Sequence, residues 1–175
     1  MKTTFEVRPA RDGDLHSLGR ALEAVRGEDL GDIAIELPTD AVSGQHAKML
    51  VAAVRSIGGE VLIAVDRGET SGFLVLSPGN GSGSPRRAGF AVAVRSEFRR
   101  RGVGAALVSD AQRWAATAGF RYLDLWVRET NEPARALYQK LGFQPTHDLG
   151  EAAIAGRIAM SFRLQCVEAQ DSAQA

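Results

Sequence analysis

Residues 90–127 constrain the chain most: FAVAV (90–94), an amphipathic stretch over 102–118 and YLDLWV (122–127) follow one another in that order. Val103, Leu107, Ala111, Trp114 and Ala118 recur on one helical face, and Gly119 ends the run. In YLDLWV, Leu123, Leu125 and Val127 alternate against Tyr122, Asp124 and Trp126, which is the period of a strand. A strand, helix and strand joined over so short a length make a right-handed crossover, so the two strands run parallel.

The remaining segments read as hairpin-linked strands and helices. TFEVR (4–8) alternates as a short strand and stops at Pro9; Asp12 is then placed to cap a helix using Leu15, Leu18, Leu22 and Val25. Residues 27–38 break that rhythm with glycines, acids and a proline, an irregular connection. After Thr39 a second helix uses Val42, Ala47, Leu50, Val51, Val54 and Ile57 and is ended by Gly58. EVLIAVDRGETSGFLVLS reads as an antiparallel hairpin whose reversal is permitted by the glycines of DRGETSG, and PGNGSGSPRRAG as a loop. A helix from about Glu132 to Leu141 stops at Gly142, and GRIAMSFRL supplies a last strand. The expected fold is α+β: a mixed, mostly antiparallel sheet flanked by helices, in one domain over residues 1–167 with a tail at 168–175.

Gly102 and Gly104 stand at the junction between the first parallel strand and its helix, after Arg99, Arg100 and Arg101. A helix start leaves four N–H groups without intrahelical partners and carries roughly half a positive charge, so it stabilises a phosphate. Glycines let a pyrophosphate approach the backbone, Ala105 and Ala106 keep the first turn uncrowded, and arginines at the rim can pair with phosphate oxygens. The bland alternative is a turn with a solvated charge cluster. Composition makes any such site local, because 21 basic and 21 acidic side chains leave a net charge of +0 and no global field for nucleic acid or anionic lipid. A P-loop would need a lysine and a hydroxyl where Ala105 and Ala106 stand; a dinucleotide fingerprint would need a third glycine at Leu107, although Asp124 lies at a suitable distance for a ribose contact.

One strand later comes TNEPARALYQKLGF (130–143), with Asn131 at a helix start, Pro133 in the first turn, an apolar face of Ala134, Leu137, Tyr138 and Leu141, and Gly142 as terminator. These two linked motifs, Arg99-Arg100-Arg101-Gly102-Val103-Gly104 and Asn131 through Phe143, resemble in order and separation those of the GNAT family of N-acetyltransferases. The resemblance covers about residues 60–164 in element order. It implies a sheet whose two parallel strands splay apart, with acetyl-CoA or a related acyl-CoA as the acyl donor. It also implies pantetheine bonded to the backbone of Val92, Ala93 and Val94, pyrophosphate on the amides of residues 100–105, and Asn131 and Ala134 flanking the pantetheine arm. Val103 and Ala105 thereby join the candidate CoA-binding residues.

Tyr138 falls where the family carries its general acid, and a phenol of pKa about 10 can share a proton with a departing thiolate whose thiol resembles cysteine, at about 8.5. Without the motif, Tyr138 reads as a buried tyrosine with a satisfied hydroxyl. AGFAVAV (88–94) has no ionisable side chain where many members place a glutamate, so the general base is sought among Glu28, Asp29, Asp32, Glu36 and Glu129, or in ordered water. Asp124 and Trp126 either line the pocket or pack beneath a helix; His16, His46 and His147 match nothing in the motifs. Cys166, the sole cysteine, reads as a buried inert thiol, and no Cys/His spacing suggests zinc.

The expected activity is transfer of an acyl group from acetyl-CoA to a primary amine by direct attack in a ternary complex. The acceptor is a small molecule, a peptide N-terminus or a lysine, and the resemblance makes a homodimer plausible. The N-terminus lacks the apolar run of a signal peptide and no segment reaches membrane-span length, so cytoplasm is the default and neither membrane nor nucleic acid is an expected partner. A catalytically silent acyl-CoA-binding module and a nicotinamide-binding protein are the alternatives.

Overall fold

The computed structural model describes residues 5–26, 43–79, 86–147, 149 and 156–165. In chain order these form β1 (Phe5–Pro9), α1 (Leu15–Ala24), α2 (Ser43–Ser56), β2 (Glu60–Asp66), β3 (Glu69–Pro78), β4 (Arg87–Val94), α3 (Val103–Thr117), β5 (Tyr122–Arg128), α4 (Glu132–Lys140), β6 (Gln144–Pro145) and β7 (Arg157–Arg163). The strands make one sheet in the order β1-β2-β3-β4-β5-β7-β6, in which β4 and β5 are parallel and every other neighbouring pair is antiparallel. This is the mixed, mostly antiparallel sheet that the crossover and the hairpins require. Among the described residues no helix is long and apolar enough to cross a membrane.

Alternation along the strands divides the apolar side chains between two faces. Val61, Ile63, Phe73, Val75 and Ala93 meet Leu18, Leu22 and Val25 of the first helical segment and Leu50 and Val54 of α2. Leu62, Leu74, Leu76, Phe90, Leu123 and Leu125 meet Leu107, Val108 and Ala111 of α3, together with Tyr138 and Phe143. Full burial of each large aliphatic side chain contributes roughly 1.5–3 kcal/mol. Cross-strand partners share a face, so the row Ser77–Gly89–Asp124–Ser161 lies on the α1/α2 side, as does Trp126.

Several local expectations are corrected. Residues 12–14 form a 3₁₀ turn ahead of α1, so Asp12 does not cap that helix; Asp14 stands at its N-cap position, but no side chain caps α1, and Asp14 Oδ2 accepts from Arg11 N at 2.8 Å instead. The hydrogen bonds of the Arg8 guanidinium to Asp14 hold that carboxyl below its usual range. Ile57 is 59% exposed because α2 ends at Ser56, before the turn at Gly58. Trp114 and Ala118 are only half-buried; the covered face of α3 runs through Val103, Leu107, Val108, Ala111 and Ala115. The hairpin reversal is the two residues Arg67 (φ 49°) and Gly68 (φ 83°), whereas Gly72 belongs to β3. β4 begins at Arg87 inside the expected loop, because pairing with β3 and β5 overrides the weak strand propensity of Ala88 and Gly89. The connection at 27–38, Val42, residues 80–85 of the Gly/Ser-rich stretch, Cys166 and the 168–175 tail lie outside the described residues.

Candidate functional site

Pairing between the two parallel strands lasts for three residue pairs, Arg87–Tyr122, Ala88–Leu123 and Gly89–Asp124. Beyond them the strands part, and from Phe90 onward β4 has no strand opposite it on that side. The gap opens into a cleft of about 820 Å³. Its floor is the free edge of β4, Phe90 to Val94, and its walls come from Leu125 to Arg128 of β5, the start of α3 and one face of α4.

The start of α3 leaves its first backbone amides without a cap. Gly102 occupies the N-cap position at φ 83°, and no side chain caps it. Ala106 is the first amide to donate along the helix, to Gly102 O at 3.0 Å, so the amides before it have no intrahelical acceptor. Arg100 is also left-handed at φ 61°, a conformation that costs a non-glycine residue about 1–2 kcal/mol. Arg99, Arg100, Gly102, Val103, Gly104 and Ala105 all line the cleft. Arg101 does not: its Nη1 lies 3.7 Å from Asp66 Oδ2 and its guanidinium stands over the Phe98 ring.

On the opposite wall α4 is capped by Asn131, whose Oδ1 accepts from Ala134 N at 3.2 Å. Asn131 and Ala134 line the cleft, as does Tyr138 one turn further on. Tyr138 is 8% exposed and packs edge-on against Phe90 and Phe143, with ring centroids 6.0 and 5.9 Å away. Among the described residues its hydroxyl makes no hydrogen bond. Burial pushes the phenol up to about 12, so it stays a proton donor at any working pH. Between pH 10 and 12 the unfolded chain ionises this phenol and the folded chain does not. Stability therefore falls by roughly 1.4 kcal/mol per pH unit in that window. Replacing Tyr138 by Phe removes this slope, as alkaline denaturation of both proteins at several pH values will show; equal slopes would contradict it.

A model of the acetyltransferase (GNAT) family matches residues 33–143, more than half of the sequence. The chain belongs to the GNAT family of acetyltransferases. Over 51 residues it is 41% identical to an uncharacterized N-acetyltransferase of Methanocaldococcus jannaschii, an alignment covering 29% of this chain and 23% of that relative. A Salmonella typhimurium structure named as an acetyltransferase with its cofactor acetyl-CoA superposes with TM-score 0.74 at 18% identity, over 97% of this chain and 99% of that one. A GNAT phosphinothricin acetyltransferase of Sinorhizobium meliloti, solved in complex with acetyl-CoA, gives 0.71 at 19% identity, over 92% and 89%.

In this GNAT chain the charges lining the cleft are all basic. Arg99, Arg100, Arg128 and Lys140 line it, with no carboxylate and no imidazole among the described residues. Phe98, Arg128 and Lys140 escaped the sequence reading; Phe98 directly precedes the arginines, and Arg128 follows Trp126 at strand spacing, which were the available signals. Of the base candidates, Glu129 is exposed and outside the cleft lining, and Glu28, Asp29, Asp32 and Glu36 lie outside the described residues.

Trp126 lines the cleft, whereas Asp124 is committed elsewhere. Arg87 Nε and Nη2 donate to its two oxygens at 2.7 Å each, Ser161 Oγ donates to Oδ1 at 2.6 Å, and the Arg87 guanidinium stacks 4.3 Å over Tyr122. The network ties β4, β5 and β7 together at the last pair before the strands part. Breaking a buried ion pair from one side costs about 3–5 kcal/mol, and the partial exposure of Arg87 reduces this, so Asp124→Ala is expected to destabilise by about 2–3 kcal/mol in urea unfolding. A change below about 0.5 kcal/mol, the range of ordinary surface substitutions, would remove the network from the account of the strand split.

Proposed function

We propose that this GNAT acetyltransferase moves an acetyl group from acetyl-CoA to a primary amine by direct attack in a ternary complex, within one domain spanning residues 1–167. The observation that carries the reading is the parting of β4 and β5 after Gly89 and Asp124 into a cleft bounded by the bare start of α3 and by Tyr138. The donor set fits acetyl-CoA. An open strand edge at Val92, Ala93 and Val94 offers amide partners to the pantetheine arm, with Asn131 and Ala134 on its other flank. The amides of residues 100–105, with Arg99 and Arg100 beside them, suit a pyrophosphate. The acetyl-CoA-bound relatives described above share this fold.

In the reaction the amine nitrogen forms a bond to the thioester carbonyl carbon, and the carbon–sulfur bond breaks. A backbone N–H of β4 meets the negative charge developing on the carbonyl oxygen. The Tyr138 hydroxyl donates a hydrogen bond to the departing sulfur, which leaves as the CoA thiolate, while the proton lost by the amine passes to water or to a carboxylate outside the described cleft wall. A phenol near 12 facing a thiol near 8.5 gives up its proton uphill, so Tyr138 acts chiefly as a hydrogen-bond donor that strengthens as charge reaches the sulfur.

The absence of any carboxylate or imidazole from the described cleft lining favours a second reading, a module that binds acyl-CoA without turnover. One experiment separates the two: thiol release from acetyl-CoA is followed with a panel of small amines, lysine peptides and free peptide N-termini. Amine-dependent release supports the transferase. Tight CoA binding with no release on any acceptor overturns it in favour of the module.

A further inference from the structure

Segment 95–102, which carries the chain from β4 to α3, is built onto the β2–β3 hairpin, far away in sequence. Ala64 pairs with Gly72 and Val65 with Thr70, leaving Ser71 as the extra residue of a β-bulge. Ser71 Oγ donates to Ala64 O at 3.0 Å, and Ser71 O accepts from Arg95 N at 3.0 Å. A Cβ on Gly72 would lie 2.9 Å from Ala93 O and 3.0 Å from Val103 Cγ1, so the bare glycine lets the first residue of α3 rest on β3.

The side chains of the segment continue the attachment. Phe98, in the cleft lining, lies between the Arg95 guanidinium at 5.3 Å and the Arg101 guanidinium at 5.4 Å from its ring centroid. Arg101 in turn faces Asp66 at the end of β2, whose Oδ1 is buried without a hydrogen-bond partner. Arg99 Nε donates to Val94 O at 2.9 Å. Arg100 has no hydrogen bond or ion pair among the described residues, and it lines the cleft.

The three consecutive arginines therefore divide their work. We propose that Arg101 is a positioning residue and not a phosphate ligand: held between Asp66 and Phe98, it fixes segment 95–102 on the hairpin bulge so that the α3 amides face the cleft, and Arg100 supplies the charge to the anion. This rests on the acetyl-CoA reading above. It deepens that reading by separating residues that touch the pyrophosphate from those that aim the backbone at it.

The test compares CoA with pantetheine, which lacks the nucleotide and pyrophosphate, by titration calorimetry on wild type, Arg101→Met, Asp66→Asn, their double variant, Phe98→Leu and Arg100→Met. A positioning role predicts that Arg101→Met, Asp66→Asn and Phe98→Leu each weaken CoA by roughly 10-fold and pantetheine by less than about 2-fold, with the double variant no weaker than either single. Salt discriminates further: Arg101→Met keeps the wild-type decline of CoA affinity with ionic strength, whereas Arg100→Met blunts it, having lost a charge that meets the phosphate. Additive losses with a blunted salt dependence in Arg101→Met would make Arg101 a phosphate ligand and overturn the proposal, as would unchanged CoA affinity in Phe98→Leu. Wild type that binds no CoA would overturn the acetyl-CoA reading and this inference with it.

Discussion

Replacing Tyr138 by Phe is expected to lower kcat for acetyl transfer by about 10²–10³-fold, the range for removing a hydrogen-bond donor that meets charge developing in the transition state. KM for acetyl-CoA should stay within about 2-fold, because an interaction made only in the transition state leaves ground-state binding alone. The substitution is clean for structural reasons. The ring is clamped between Phe90 and Phe143, a phenylalanine fills the same volume, and no hydrogen bond to the hydroxyl is lost among the described residues. Since burial pushes the phenol to about 12, the basic limb of any pH–rate profile below that value belongs to another group and should persist in the variant's residual activity. A kcat within about 3-fold of wild type, well short of the effect of losing such a donor, would strip Tyr138 of its proposed role and return it to the core.

Gly104→Glu is expected to weaken CoA binding by at least about 1,000-fold, or roughly 4 kcal/mol. A Cβ at this position meets nothing nearer than Leu137 Cδ2 and Val94 Cγ2, both at 3.6 Å, so the backbone accepts a side chain. What changes is the cleft. Gly104 stands in the first turn of α3, where a glutamate is itself favoured by the helix dipole. Its carboxylate would occupy the anion seat from within the chain and repel a pyrophosphate from it. Gly104→Ala should fold normally and lose far less affinity. Titration calorimetry with CoA, beside thermal melts of both variants, checks this; wild-type affinity in Gly104→Glu would take the pyrophosphate away from the start of α3.

The parts of the fold legible in the sequence were those where local preference and tertiary role agree. FAVAV and YLDLWV alternate as strands do, and Gly102 and Gly142 end up at φ 83° and 89°, where a glycine is the natural residue. Arg87 to Gly89 were hidden because they become strand only through neighbours on both sides. The Ser71 bulge was hidden because Gly72 beside it, a glycine that inside a strand would suggest one, reads as part of the reversal in DRGETSG. Asp12 reads as a helix cap, but a 3₁₀ turn intervenes before α1, and the carboxylate of Asp14 at the N-cap position is taken up by Arg8 and Arg11 N. In the site, the motifs located the cleft, but they cannot say which way a side chain turns. Arg99, Arg100 and Arg101 are one letter repeated, and their different surroundings come from Val94, the open cleft and Asp66. The base candidates other than Glu129 fall in residues 27–38, where the sequence has neither period nor motif.

The short pairing of β4 with β5 also bears on self-association. A strand edge with unpaired amides is normally a hazard, because any extended chain can add to it. Here the free edge of β4 lies in the middle of the sheet, walled by β5, α3 and α4, so a neighbouring protein cannot reach it side-on. By parting two strands inside the sheet, and not at its margin, the fold leaves backbone hydrogen-bonding groups of β4 unpaired without offering them as a seed for aggregation.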